Sequence, residues 1–327
     1  VVQEIWDVLR AFASFGFCKA HAAAFAMPTY QSAWLKTHYP AAFFSGVLTH
    51  DPGMYPKRLI VDEVRQMGIA IAPLDVNASD SAYRVEDHGN AIRIALSTVA
   101  GISDGEVQSI IAGRPYIDLN DFVRRSGSST PVTESMILTG AFDALHADVN
   151  RRDLLLHFSD LQKSPGMAVS GAQMNLGFEP PALISSGLPA MSAAESVKYE
   201  VDRLGIDMSR HMIEFYGDFL NAIGAVRSSD LLKQRSQSSV LVAGIKVAMQ
   251  TPPVRSGKRV IFVTLDDGYG LSDSTFFTDV QGEYANVLYS TSLLLVRGVT
   301  RRTGAKGISI RATGAWDLRA AYESWST

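Results

Sequence analysis

The residues best suited to chemistry near the start of the chain are Lys19 and His21, in the stretch GFCKAHAAAF. They interrupt an otherwise apolar, helix-patterned run with a cation and an N–H donor. At a helix start such a pair suits phosphate oxygens, where the backbone dipole also favours negative charge; the plainer reading is a pair that only marks the helix start. In AGISDGEVQSII, Gly101 and Gly105 flank a tight turn leading into a helix. Its backbone N–H groups can face a phosphate, the helix-hairpin-helix idea, or simply begin a helix. TPPVRSGKRV and RRTGAKGISIR place Arg255, Lys258, Arg259, Arg301, Arg302 and Lys306 in two short segments between β-patterned runs, where they either hold a phosphate backbone or serve solubility. The densest acidic pair, Asp266-Asp267, stands beside Gly268 and Gly270, and this reads as turn chemistry.

Other chemistries are not supported. The seven histidines are scattered, the single cysteine, Cys18, can form neither an internal disulfide nor a thiolate zinc site, and no Walker loop, G-x-S-x-G elbow or H-E-x-x-H occurs. No catalytic residues, no metal ligands and no cofactor are therefore assigned within the chain. One cysteine fits a reducing cytosol. No apolar run approaches the roughly 18 residues of a membrane span. A net charge of -3 says little about nucleic acid, since local patches matter more than totals. The chain opens at Val1 with no leader-like segment, and is expected to be part of a longer protein.

The elements that must position these residues follow from periodicity. Residues 1 to 70 recur apolar at three and four spacing, with Pro40 and Pro56 suited to helix first turns and Gly68 as a stop. The short alternating runs IAIAPL, AYRVED and AIRIAL predict a few strands. From Val99 the pattern is helical again. Residues 162 to 191 are rich in Gly, Pro and Ser without a period, as in a linker or functional tether. A helical pair and the polar hinge KQRSQSS follow. The last ninety residues hold five β-rich segments with a helical stretch, VQGEYANVL, between the third and fourth, which is the order of an OB-fold barrel. The basic segments then become its first and fourth interstrand loops, where OB-folds commonly hold oligonucleotides. Phe262, Tyr269, Phe276 and Phe277 are candidate stacking rings, although only one of the adjacent Phe276 and Phe277 can face the core. The fold class is α+β and multidomain.

Words as well as order are recognisable. FGFCKAHAAAFAMPTYQSAWLKTHYPAAFFSGVLT resembles the end of the fingers domain of bacterial C-family DNA polymerases, the DNA polymerase III α subunit family. LSTVAGISDGEVQSII with LTGAFDAL resembles their helix-hairpin-helix region, and VAGIKVAMQTPPVRSGKRVIFVTLDDGYG their OB domain. THDPGMYPKRLIVDEVRQMGI points to the error-prone, damage-tolerant branch. The resemblance implies a fingers remnant (1–95), a helix-hairpin-helix module (96–160), a tether (161–191), a helical linker pair (192–237) and an OB domain (238–327). It implies Lys19 and His21 at the incoming dNTP's triphosphate, duplex and single-stranded DNA as partners, and Mg in a palm domain outside this chain, which alone is expected to be inactive. It further implies accessory proteins of the mutagenic polymerase cassette and a cytoplasmic, membrane-free setting. In the tether, Gln173, Leu176 and Phe178 of QMNLGF resemble the Gln-x-x-Leu-x-Phe peptide by which bacterial polymerases dock on the sliding clamp. Cys18 stands where many relatives have Asn. The rival expectation is a non-enzymatic nucleic-acid adaptor or a tRNA-binding OB module.

Overall fold

The computed structural model describes residues 2–13, 19–51, 53, 55–163, 182–252, 259–302, 304 and 307–326. Helices α1 (Val2–Ala13) and α2 (Lys19–His38) open it, followed by α3 (Pro40–His50), with Pro40 at its first position, and α4 (Lys57–Gln66), which ends before Gly68 at φ +78°. The short strands β1 (Ala70–Ala72), β2 (Arg84–Glu86) and β3 (Ala91–Arg93) make a small sheet in the order β1-β3-β2. Helices α5 (Asp104–Ala112), α6 (Leu119–Arg125), α7 (Thr130–Leu138) and α8 (Arg151–Lys163) complete a helical body. One apolar core runs through all of it, from Phe44, Leu48 and Val61 through Ile92 and Leu96 to Ile110, Phe122, Phe142 and Leu161. Burying such side chains stabilises by about 1.5–3 kcal/mol each. The small sheet is thus packed into the helical body and has no separate core.

A capping box at Ser192 and Glu195 starts α9 (Ala193–Leu204), and Gly205 in the left-handed region ends it. A 3₁₀ turn over Met212–Tyr216 runs into α10 (Gly217–Ala222) and then the short α11 (Ser228–Leu231). Strands β4 (Ser239–Gln250), β5 (Ile261–Asp266), β6 (Leu271–Phe276), β7 (Leu293–Arg302) and β8 (Ile308–Asp317) close a barrel in the order β4-β5-β6-β8-β7. Helix α12 (Thr278–Ser290) lies between β6 and β7, and α13 (Leu318–Ser326) follows β8. Five strands, this order, and the parallel β6–β8 pairing that closes the ring make it the expected OB-fold. Val242, Val263, Leu265, Phe276, Val296 and Ile310 fill the interior. A second apolar layer lies outside the barrel, where Ile245, Leu293 and Leu295 pack against Ile213, Phe219 and Leu318.

Where the barrel meets the helical body, polar groups are buried together. His211 approaches Asp62 of α4 and Asp266 at the end of β5, with Nε2 3.6 Å from Oδ2 of each. The three side chains are 1–3% exposed. The Arg65 guanidinium pairs with Asp62 (2.8 Å) and donates to the Asp207 and Met208 carbonyls. Gly268, at φ +80°, lets the β5–β6 turn pass over the imidazole: a Cβ there would lie 2.8 Å from His211 Cγ. Burial pushes the Asp62 carboxyl up to about 7, with the Asp207 and Asp266 charges adding and His211 opposing. Burial also raises Asp207. Burial would raise Asp266 too, but the adjacent His211 imidazole and the bond from the Gly268 N–H outweigh it and hold Asp266 low.

The folded state therefore keeps a proton on Asp62 that the unfolded chain, at an ordinary 3.8, has released. This contribution is fully present below about pH 4 and is lost as pH rises to about 7. Asp62→Asn, which keeps an acceptor for Arg65 and removes the titration, should gain on the parent protein as pH rises from 5 to 8 in thermal unfolding; parallel profiles would refute the assignment. His211→Ala, which leaves Asp266 buried without its ion-pair partner, should cost about 3–5 kcal/mol.

Candidate nucleic-acid interface

Lys19 and His21 lie in the first turn of α2, both exposed, with the His21 ring 4.5 Å from Phe25. No residue of α2 is buried, and Phe25, Met27, Tyr30 and Trp34 project from it at 44–69% exposure. The helix thus offers a cation and an imidazole at its positive end, with exposed aromatic side chains beyond them, while Lys36 near its other end pairs with Glu63 of α4.

The Gly101 turn is more mixed than its sequence implies. Gly101 needs its φ of +81° to make the turn, and Ser103 caps α5 in a capping box with Glu106. A Cβ on Gly105 would meet only Ser103 Oγ at 4.0 Å, so internal packing does not require glycine there. Hydrogen bonds from Ser129 and from the Ser103 backbone hold the Glu106 carboxyl down to about 2. An ionised carboxylate consequently shares the helix start with any incoming phosphate, which must use donors on the Gly101–Gly105 side.

The barrel's basic residues separate. Arg301 is exposed and lines an open groove of about 750 Å³. Arg302 is turned back, donating to the Leu232 and Gln234 carbonyls, so it braces the hinge before β4. Arg259 is exposed, and its carbonyl accepts from Gln281 (2.8 Å). Arg255, Lys258 and Lys306 lie outside the described residues, as do the tether residues Gln173, Leu176 and Phe178. Of the aromatic candidates, Phe276 faces the barrel core and Phe277 is 37% exposed with the Arg311 guanidinium 5.4 Å from its ring; alternation allowed only one inside. Phe262 is outward, and Arg227 lies 4.4 Å over Tyr269.

Asp266-Asp267 does make the expected turn, accepting the Gly268 and Tyr269 N–H groups, while Asp267 also holds Ser228. What periodicity gave no sign of is the assembly of Asp62, His211 and Asp266, whose ligand atoms all lie within 4.8 Å of one another. That is the composition of a divalent-cation site, where the sequence offered none. The ring's other nitrogen decides against it: His211 Nδ1 accepts the Ile213 N–H (3.3 Å), so a neutral ring carries its proton on Nε2, toward the carboxylates, where a metal needs a lone pair. His211 Nε2, Asp62 Oδ2 and Asp266 Oδ2 make no hydrogen bond among the described residues, so what gathers them is ion pairing across 3.6 Å. Its one sequence signal was a His whose neighbours in the chain, Arg210 and Met212, gave it no partner.

The helix-hairpin-helix motif model matches residues 68–154, spanning the small sheet and α5 to α7. An error-prone DNA polymerase of Symbiobacterium thermophilum is 32% identical over 95% of the chain and 33% of its own length. One from Bdellovibrio bacteriovorus is 29% identical over 93% of the chain and 30% of its length. The DNA polymerase III subunit alpha of Escherichia coli O157:H7 is 29% identical over 100% of the chain and 30% of its length. Among solved structures, an asparaginyl-tRNA synthetase of Entamoeba histolytica aligns over 28% of the chain at 17% identity with a TM-score of 0.22, below the level at which a shared fold follows. Among the described residues no helix is long and apolar enough to cross a membrane. The chain spans about a third of the length of these relatives, and over nearly all of its own length it is similar to a segment of error-prone DNA polymerases and DNA polymerase III α subunits.

Proposed function

We propose that this chain is the DNA-holding portion of an error-prone, cytoplasmic DNA polymerase acting in translesion synthesis and repair. The observation that carries the reading is sequence relationship to such polymerases along 93–100% of the chain, with the hairpin motif and the barrel in one order. The Gly101 turn and the barrel loops hold duplex and single-stranded DNA through phosphate contacts, which position without reading sequence. Lys19 and His21 hold the triphosphate of the incoming dNTP at the positive end of α2. The uncovered apolar sides of α1 and α2 are surfaces of the kind the rest of such a polymerase would bury. Mg and the carboxylates that bridge it belong to a palm domain, and accessory proteins of the mutagenic cassette recruit the enzyme.

In the whole enzyme, Lys19→Ala should raise the apparent KM for nucleotide and lower kcat, because a phosphate contact that tightens in the transition state affects both. Single-nucleotide incorporation with unchanged constants would return Lys19 to a helix-start role. For the tether, a peptide of residues 170–181 should bind the sliding clamp and Phe178→Ala should abolish that binding, since two apolar side chains and a glutamine amide carry such docking. A peptide that fails to bind at high micromolar clamp would end the docking idea and leave recruitment to the accessory proteins.

A further inference from the structure

The outer face of the β7–β8 ribbon changes character partway along. On β7, Leu293 and Leu295 point outward and are covered by the 212–223 segment and α13. The next outward positions, Arg297, Val299 and Arg301, have no such cover, and Arg297 and Arg301 are exposed. On β8 the matching positions include Arg311, opposite Val299, and Trp316, opposite Leu295. Arg297 to Arg301 spans on the order of 13 Å along the strand, with Arg311 beside the midpoint.

Aromatic rings are set into this basic strip. The Trp316 indole lies along the sheet over Gly314, where a Cβ would come within 2.7 Å of its ring. Tyr284 of α12 meets it edge-on at 5.9 Å and the Arg297 guanidinium stands 5.5 Å from it, yet 37% of Trp316 remains exposed. Across the ribbon, Arg311 and Phe277 form the second cation–aromatic pair, at the edge of the 750 Å³ groove that Arg301 also lines. Two outward rings, each beside a guanidinium, on a face flanked by a third arginine have the makeup of a platform on which bases stack while phosphates are neutralised. Asp279 holds Arg311 at 3.2 Å with both side chains about 60% exposed. Such a pair is weak in water, so a phosphate can displace it.

We infer that this face, Trp316 and Arg297 to Arg311 and Phe277, is a path for single-stranded nucleic acid running over β7 and β8, in addition to the interstrand loops. The inference rests on the barrel binding DNA and adds where the strand lies. Charge complementarity chooses the occupant: a polyanion with flat bases answers three arginines and two rings, and a protein partner would leave the guanidiniums to find carboxylates.

The test titrates the full chain with a fluorescein-labelled oligo-dT of about 20 nucleotides, long enough for one barrel. Arg297→Ala/Arg311→Ala should flatten the salt dependence of binding by about 1.4 log units per log unit of salt. Trp316→Ala should weaken binding roughly 5- to 150-fold. Intrinsic fluorescence should fall on binding in the parent protein and much less in Trp316→Phe, a variant that keeps a ring in place should the Ala variant not fold. Binding with an unaltered salt slope in the double variant, or with equal quenching in Trp316→Phe, overturns the path and leaves barrel binding standing. No binding by the parent protein below about 100 µM at low salt overturns barrel binding itself, and the path with it.

Discussion

One imidazole is buried where the barrel meets the helical body. His211 is fixed on one side by the backbone, through the Ile213 N–H on Nδ1, and on the other faces carboxylates from two different parts of the chain. Gathering Asp62, Asp207 and Asp266 away from water is costly, and replacing such a cluster by apolar side chains often leaves a protein equally stable or more so. What the cluster adds is selectivity. An apolar contact tolerates sliding, whereas here a small displacement would leave buried charge unpaired. Arg65 extends the constraint by holding the 207–208 carbonyls against α4, and Gly268 lets the β5–β6 turn reach the ring face. Burial holds the Asp62 carboxyl up at about 7, which keeps the three acidic groups in so small a volume from all ionising at lower pH.

Packing determines which surfaces of the barrel remain free. One side of the outer β7 surface is consumed by the apolar layer against the 212–223 segment and α13. The remainder of the outer β7 and β8 surface has no such cover, and Arg297, Arg301 and Arg311 are exposed on it. Arg302 is the exception, because its guanidinium closes the hinge that delivers the chain into β4. In a chain of net charge -3, affinity for a polyanion has to come from such local display.

The barrel was legible because each of its five strands has its own β-rich run and the single helical stretch falls in the position an OB-fold assigns it. The helical body was legible as helices, but its unity was not. A boundary near residue 95 follows from the switch of period, whereas Ile92, Leu96 and Ile110 belong to one core whose contacts periodicity does not encode. Phe276 and Phe277 illustrate what alternation can settle: one must face in, yet which one depends on the register with β5, where Phe276 pairs with Ile261. The His211 junction was illegible for a different reason. Asp62, His211 and Asp266 are separated by 149 and 55 positions, and each taken alone is an ordinary helix, loop or turn residue.

At the Gly101 turn the sequence shows the donors but not what shares them. Gly-x-x-x-Gly before a helix signals exposed N–H groups, and those groups exist, but a capping box uses the same residues to satisfy them internally. Glu106 both completes the box and takes the Ser129 N–H, so its charge is tied to the fold and cannot withdraw when a phosphate arrives. A negative charge fixed at the helix start opposes a phosphate bound beside it. On the proposed reading that is a useful property: a polymerase must release and re-engage the backbone at each step, and a hairpin that gripped it with every available donor would hold the duplex still.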